Sequence, residues 1–192
     1  MRVRLVYRGR LRSNQRDPID GQLDKLAEHK HAIRKEFHLQ VRTQFSESES
    51  LRGHMGDVEA QVGSYRFVPL VRKAWRLSCS VGVLFLRHDP PGSVLTAGDL
   101  DNRVKTLIDT LRMPANVGEL RGNEQPSSDE DPFFCLLEDD NLVSAIRVET
   151  GRLLIPPRST RDEDRQEAVI VVTADILPLG GTTWFNIGFV AE

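Results

Sequence analysis

A mixed α+β fold, a small sheet with helices packed on it, follows from three observations. Segments of strand period and of helix period alternate along the chain in the order β-α-β-α-β-β. Residues 167–176 (EAVIVVTADI) are apolar on both faces, which suits a strand inside the sheet rather than at its edge. The chain has 192 residues, 39% of them hydrophobic, which suffices for a core without disulfide staples.

Residues 2–8 alternate, with Val3, Leu5 and Tyr7 on one side, and read as the first strand. Asp17-Pro18 marks a turn. From about 20 to 45 the period changes: Leu23, Leu26, Ile33, Phe37, Val41 and Phe45 recur at threes and fours. That is a long amphipathic helix, its stripe broken by Lys30. Residues 46–64 are polar and glycine-bearing and read as an inserted loop. The clearest strand is 75–86, where Trp75, Leu77, Cys79, Val81, Val83 and Phe85 point one way. Asp101–Arg112 reads as a short helix, with Val104, Leu107, Ile108 and Leu111 at i, i+3, i+4 and i+7. Residues 113–132, rich in proline, glycine and acids, read as a second inserted loop or a disordered stretch. Residues 142–149 read as a strand, and charged 157–166 as a hairpin loop leading to the last strand. The domain therefore runs over 1–177, and 178–192 is an apolar tail without an assigned place.

No apolar run reaches membrane-span length, so no membrane partner is expected. The start, MRVRLVYRGRLR, is too broken by arginine to read as a secretory signal. Cys79 and Cys135 lie in no metal or redox spacing, which favours a reducing, cytoplasmic setting. The net charge of −2 hides an asymmetry. Residues 1–76 carry 16 Lys and Arg against 9 Asp and Glu, net +7, whereas 77–192 carry 10 against 19, net −9. A basic half can face phosphates, and an acidic half can hold a divalent cation.

The informative stretch is Gly98-Asp99-Leu100-Asp101-Asn102-Arg103-Val104-Lys105, just past the clearest strand. In an extended approach Asp99 and Asp101, two apart, face the same side. Lys105 stands one helical turn beyond Asp101. A second acidic group, Glu138-Asp139-Asp140, precedes the next strand and could meet the first if the two strands are neighbours. Converging carboxylates favour a hard cation, Mg²⁺ or Mn²⁺, which can activate water and stabilise phosphate charge. A nearby lysine adds positive charge where the transition state gathers negative charge.

Plainer readings stand beside this one. Asp101 can cap the helix, and Asp101, Lys105 and Asp109 form ordinary i,i+4 pairs. Glu138-Asp139-Asp140 can be a turn. An EF-hand fails, since Val104 stands at position six and Thr110 at position twelve of the Asp99–Thr110 window. Neither G-x-x-x-x-G-K-[ST] nor G-x-G-x-x-G occurs. His31 and His38 share a helix face without a partner at metal spacing and read as solvated, and His88 as a loop residue. An isolated D-x-D also occurs in nucleotide-sugar transferases, but no donor-nucleotide feature accompanies it here.

The run D-L-D-N followed by Lys105, Asp109 and Leu111, then the later acidic pair before a strand, resembles the RusA family of Holliday junction resolvases. The element order also matches that family, including Ser13-Asn14 in the first loop, over roughly residues 1–177. The resemblance implies a Mg²⁺-dependent (or Mn²⁺-dependent) endonuclease acting on branched DNA in recombination and repair. It implies metal ligands at Asp99, Asp101 and Asp140, with Asp139 as the weaker member of its pair, and catalytic assistance from Lys105. It implies DNA contacts at Ser13, Asn14 and Asn102. Arg8, Arg10, Arg12 and Arg16 could supply phosphate contacts, with Lys30, Arg34 and Lys35 on the helix. It further implies a homodimer, since a two-fold junction invites two symmetric cuts. Three features depart from the family pattern: the long insertion within 112–137, the extended 46–74 region, and Leu11-Arg12 where Pro-Pro is usual. The same fold with a lost or repurposed site would be a non-catalytic module that binds branched DNA.

Overall fold

The computed structural model describes residues 1–12, 20–52, 60–88, 99–156 and 167–180, without the side chains of 20–24, 50 and 99. It is an α+β structure with two sheets. The larger holds β1 (Arg2–Gly9), β4 (Leu77–Arg87), β6 (Val143–Arg152) and β7 (Ala168–Pro178), in the order β1-β7-β4-β6. The smaller holds β2 (Ala60–Val62), β3 (Tyr65–Val71) and β5 (Phe133–Leu137), in the order β2-β3-β5. Helix α1 covers Asp20–Glu47, α2 Glu49–Arg52 and α3 Asp99–Leu111.

The large sheet forms as its alternation dictates. Along β7, Ala168, Ile170, Val172, Ala174 and Ile176 are all buried. Their register partners Val81, Val83 and Phe85 of β4 and Val3 and Leu5 of β1 line the same face. Ile33, Phe37, Val41 and Phe45 of α1 and Leu107, Ile108 and Leu111 of α3 close that face into one core. β7 is the inner strand that its two-sided apolarity predicts, antiparallel to both neighbours. β4 and β6 run parallel, so the chain between them makes a β4–α3–β6 crossover.

At the outer edge of β1 the Gln40 side chain on α1 accepts from the Val6 amide and donates to the Val6 carbonyl, both at 2.8 Å. This satisfies one residue of an edge whose backbone groups could otherwise pair with another chain. Among the described residues no helix is long and apolar enough to cross a membrane.

Several expectations are corrected. Residues 46–64 are not all loop, since α2 buries Leu51 and β2 opens the smaller sheet. β3 and β5 add strands that the β-α-β-α-β-β order does not contain. Residues 113–132 form an ordered arm with a 3₁₀ turn at Val117–Leu120 and a buried Glu130. The hairpin reading of 157–166 fails on topology, because β4 lies between β6 and β7. Those residues, like 181–192 of the tail, lie outside the described ones.

His31 and His38 are buried rather than solvated. The Phe134 amide donates to His38 Nδ1 at 2.8 Å, so Nε2 carries the proton and donates to the Asp129 carbonyl at 3.1 Å. His31 Nε2 donates to Glu130 at 3.1 Å. Together they pin the 113–132 arm to α1. Burial holds both histidines below the usual imidazole range, against the opposing pull of Glu130 on His31. Burial, with the charges of Arg12 and Arg10, lowers His29 to about 4. For Glu130, burial pushes the carboxyl up, but bonds from Ser127 and Lys35 and the neighbouring His31 outweigh it and leave it at about 2.

These shifts set the acid stability. A histidine kept neutral in the fold favours the unfolded chain once protons bind, so its contribution is full above about pH 6.5 and is lost as pH falls toward about 4. Glu130, depressed from 4.5 to about 2, adds a further loss between those values. The melting temperature is expected to fall steadily below about pH 6.5. One that stays flat down to about pH 4.5 contradicts the buried, neutral histidines.

Candidate functional site

Helix α3 opens at Asp99, two residues earlier than its apolar period shows. Asp99 and Asp101 therefore both sit on helical backbone, where positions two apart diverge by about 200° around the axis. The extended geometry expected for this pair is thus replaced by a helical one. Positions 101, 105 and 109 instead share one face at i, i+4 and i+8. Asp101 and Lys105 are exposed, and among the described residues neither side chain is engaged. Asn102 is half-buried, and its carbonyl accepts from the Thr106 hydroxyl at 2.9 Å.

Asp109 is tied down. Lys30 of α1 reaches it at 2.7 Å, and Arg112 approaches its other oxygen at 3.4 Å. Arg34 of α1, almost wholly buried, donates to the Asp109 carbonyl at 3.0 Å and approaches Glu119 of the inserted arm at 3.4 Å. Arg112 joins Glu119 at 3.1 Å. Burial disfavours the charge on both arginines. At Arg34 it prevails and lowers the pKa, whereas at Arg112 Glu119, Asp109 and Asp140 outweigh it and raise the pKa. The network joins α1, α3 and the 113–132 arm, and no apolar period announces it.

It also corrects the phosphate contacts expected on α1. Lys30 and Arg34 are consumed here, and Lys35 pairs with Glu130 at 3.1 Å. Arg8 is held by Glu167 at 2.9 Å. Arg10 and Arg12 remain exposed at the end of β1, where the Arg12 amide donates to His29. Ser13, Asn14 and Arg16 lie outside the described residues.

The second acidic group is largely structural. Glu138 accepts from the Lys73 amide at 2.9 Å, and Asp139 caps the following 3₁₀ turn by accepting from the Asn141 amide at 2.9 Å. Asp140 alone is exposed and uncommitted, and its charge is felt at Arg112. Arg112, just past the end of α3, bridges to Leu137, three residues before Asp140. Asp101 lies eleven residues back along the helix, a rise of about 16 Å. β4 and β6 are neighbours, but a parallel crossover leaves Asp101 and Asp140 at opposite ends of α3 within one copy. Among the described residues no group of three or more His, Cys, Asp or Glu is placed to hold a metal ion.

Comparison of the chain with protein-family models, with curated proteins and with solved structures finds no match.

The charge network yields a stability prediction. Asp109→Asn leaves Lys30, Arg34 and Arg112 with Glu119 as the one carboxylate still bonded within the cluster. Breaking such a partly buried network costs about 2–4 kcal/mol. Urea unfolding measures this, and a loss below about 0.5 kcal/mol would mean that solvent screens the cluster as it does surface pairs.

Proposed function

We propose that the chain is a RusA-like, structure-selective endonuclease that hydrolyses phosphodiesters in branched DNA during recombination or repair. One observation carries the reading. The D-x-D-N-x-x-K run occupies the opening turns of α3, in the crossover that follows the central strand β4, with Asp101 and Lys105 exposed and uncommitted. The neighbouring acid on that face, Asp109, is spent on structure. The opening turn of a helix is favourable ground for a phosphate, because its free amides and the helix dipole attract negative charge. In hydrolysis, water attacks phosphorus, the P–O bond opposite breaks, and charge gathers on the phosphoryl oxygens. Lys105 supplies the positive charge that this step needs, and Arg10 and Arg12 supply backbone contacts that carry no base preference.

The resemblance implies Mg²⁺ held by Asp99, Asp101 and Asp140. The described acids of a single copy do not fit that set, because Asp140 stands at the far end of α3. That separation favours a second reading, a module that binds branched DNA without cutting it.

Cleavage of a synthetic four-way junction, against linear duplex and with and without Mg²⁺, separates the two. Metal-dependent cutting of the junction alone is expected, abolished in Asp101→Asn with binding retained. Lys105→Ala should lower the single-turnover rate about a hundredfold. Asp101→Asn cutting at the parental rate would remove the assignment, and binding without cutting by the parent would establish the module.

A further inference from the structure

A cleft of about 260 Å³ opens between the end of α1, α2 and the inserted arm. Its floor is where two apolar segments meet. Phe45 closes the stripe of α1, Phe134 belongs to β5, and their ring centroids lie 5.2 Å apart. Arg42, on one wall, is twelve residues past Lys30, a rise of about 18 Å along α1. The cleft is therefore separate from the Asp109 network.

The walls differ in charge and in how far that charge is spent. Arg42 of α1 and Arg52 of α2 are both exposed. Among the described residues Arg42 meets no carboxylate, and Arg52 meets only Glu49, at 4.0 Å and almost wholly in solvent. The arm contributes Asp129 and Asp131. Asp131 is taken by Arg66 at 2.8 Å. The Ser127 hydroxyl and a backbone amide hold the Asp129 carboxyl below the usual carboxylate range. The unspent charge of the cleft is thus positive, and guanidinium forks suit a carboxylate or a phosphate.

The two acids choose between those anions. A nucleic-acid strand is charged at every nucleotide, so its next phosphate would be carried toward Asp129 and Asp131. A peptide that ends in the cleft carries a single charge there. The groups behind that charge are amide N–H donors, which a carboxylate accepts even when one oxygen is engaged. The volume is below the roughly 300–1,000 Å³ of sites for drug-sized ligands, and it suits one large side chain with its carboxylate. We propose that this cleft binds the free carboxyl terminus of a partner protein whose last residue is large and apolar. Arg42 and Arg52 hold the carboxylate, and the side chain lies over Phe45 and Phe134. Capture of a chain terminus is a recurring mode of peptide recognition. The inference stands apart from the nuclease reading and needs none of its residues.

Calorimetric titration of the full chain with the peptide N-acetyl-Gly-Ser-Leu-Phe, free at its carboxyl end, tests this. Binding is expected. Amidating the terminus should weaken it at least about tenfold, because the charge-assisted bonds are lost. Replacing the last residue by glycine should weaken it by a similar factor, because the apolar burial is lost. Arg42→Ala and Arg52→Ala should each weaken it at least about tenfold. Both arginines are exposed, so these variants should keep the parental melting temperature, which shows that they fold. No binding of the free peptide overturns the proposal, as does equal binding of the amidated one or binding undiminished in both variants. A thymidine tetranucleotide is the remaining probe. If it binds more tightly than the peptide and is lost in the same variants, the cleft takes a nucleic-acid strand and the proposal falls.

Discussion

The ion pair between Lys30 and Asp109, with Arg34, Arg112 and Glu119 gathered around it, is the contact on which the rest of the arrangement depends. α3 presents a narrow apolar stripe to the core, Leu107, Ile108 and Leu111 with Val104 packed beside them. That stripe fixes which face is buried but not how far the helix slides or turns on the sheet. Directional bonds from two residues of α1 and one of the arm fix both. The positions of Lys105 and Asp101, about one and two turns up the same helix, follow from that anchoring. Breaking a buried charge network costs more than the network contributes over an apolar substitute, so its value lies in register more than in stability.

The inserted arm is part of the same construction. A stretch of twenty residues without periodicity would ordinarily remain unpacked. Here Glu119 joins the charge network, and Glu130 is drawn beneath α1 by His31, Lys35 and Ser127. His38 accepts from the Phe134 amide and donates to the Asp129 carbonyl, so the arm enters β5 already in register. The aromatic group of Tyr65, Phe67 and Phe133 then closes the smaller sheet over it.

What the sequence discloses follows the reach of its periods. β1, α1, β4, α3 and β7 are legible because each repeats its apolar residues over two turns or more, or over at least three alternations. β3 and β5 are not. Pro69 interrupts the first, and FFCLL is too short and too uniformly apolar to show a period. The buried histidines escape because periodicity ranks a residue by polarity, whereas His38 finds a partner for both ring nitrogens and His31 finds Glu130 for its Nε2. At the site, the residue types were legible and their mutual geometry was not. Glu138 and Asp139 turn out to be bound to backbone amides. The distance from Asp101 to Asp140 depends on a parallel crossover that no local pattern encodes.

An account in which α3 presents the working acids is tested most directly by locating a bound ion. Mn²⁺ titrated into isotope-labelled protein broadens amide resonances near the ion. The account predicts broadening centred on Asp101 to Lys105 and lost in Asp101→Asn. Broadening centred instead on Asp129, Glu130 and Asp131, and unchanged by that substitution, would contradict it.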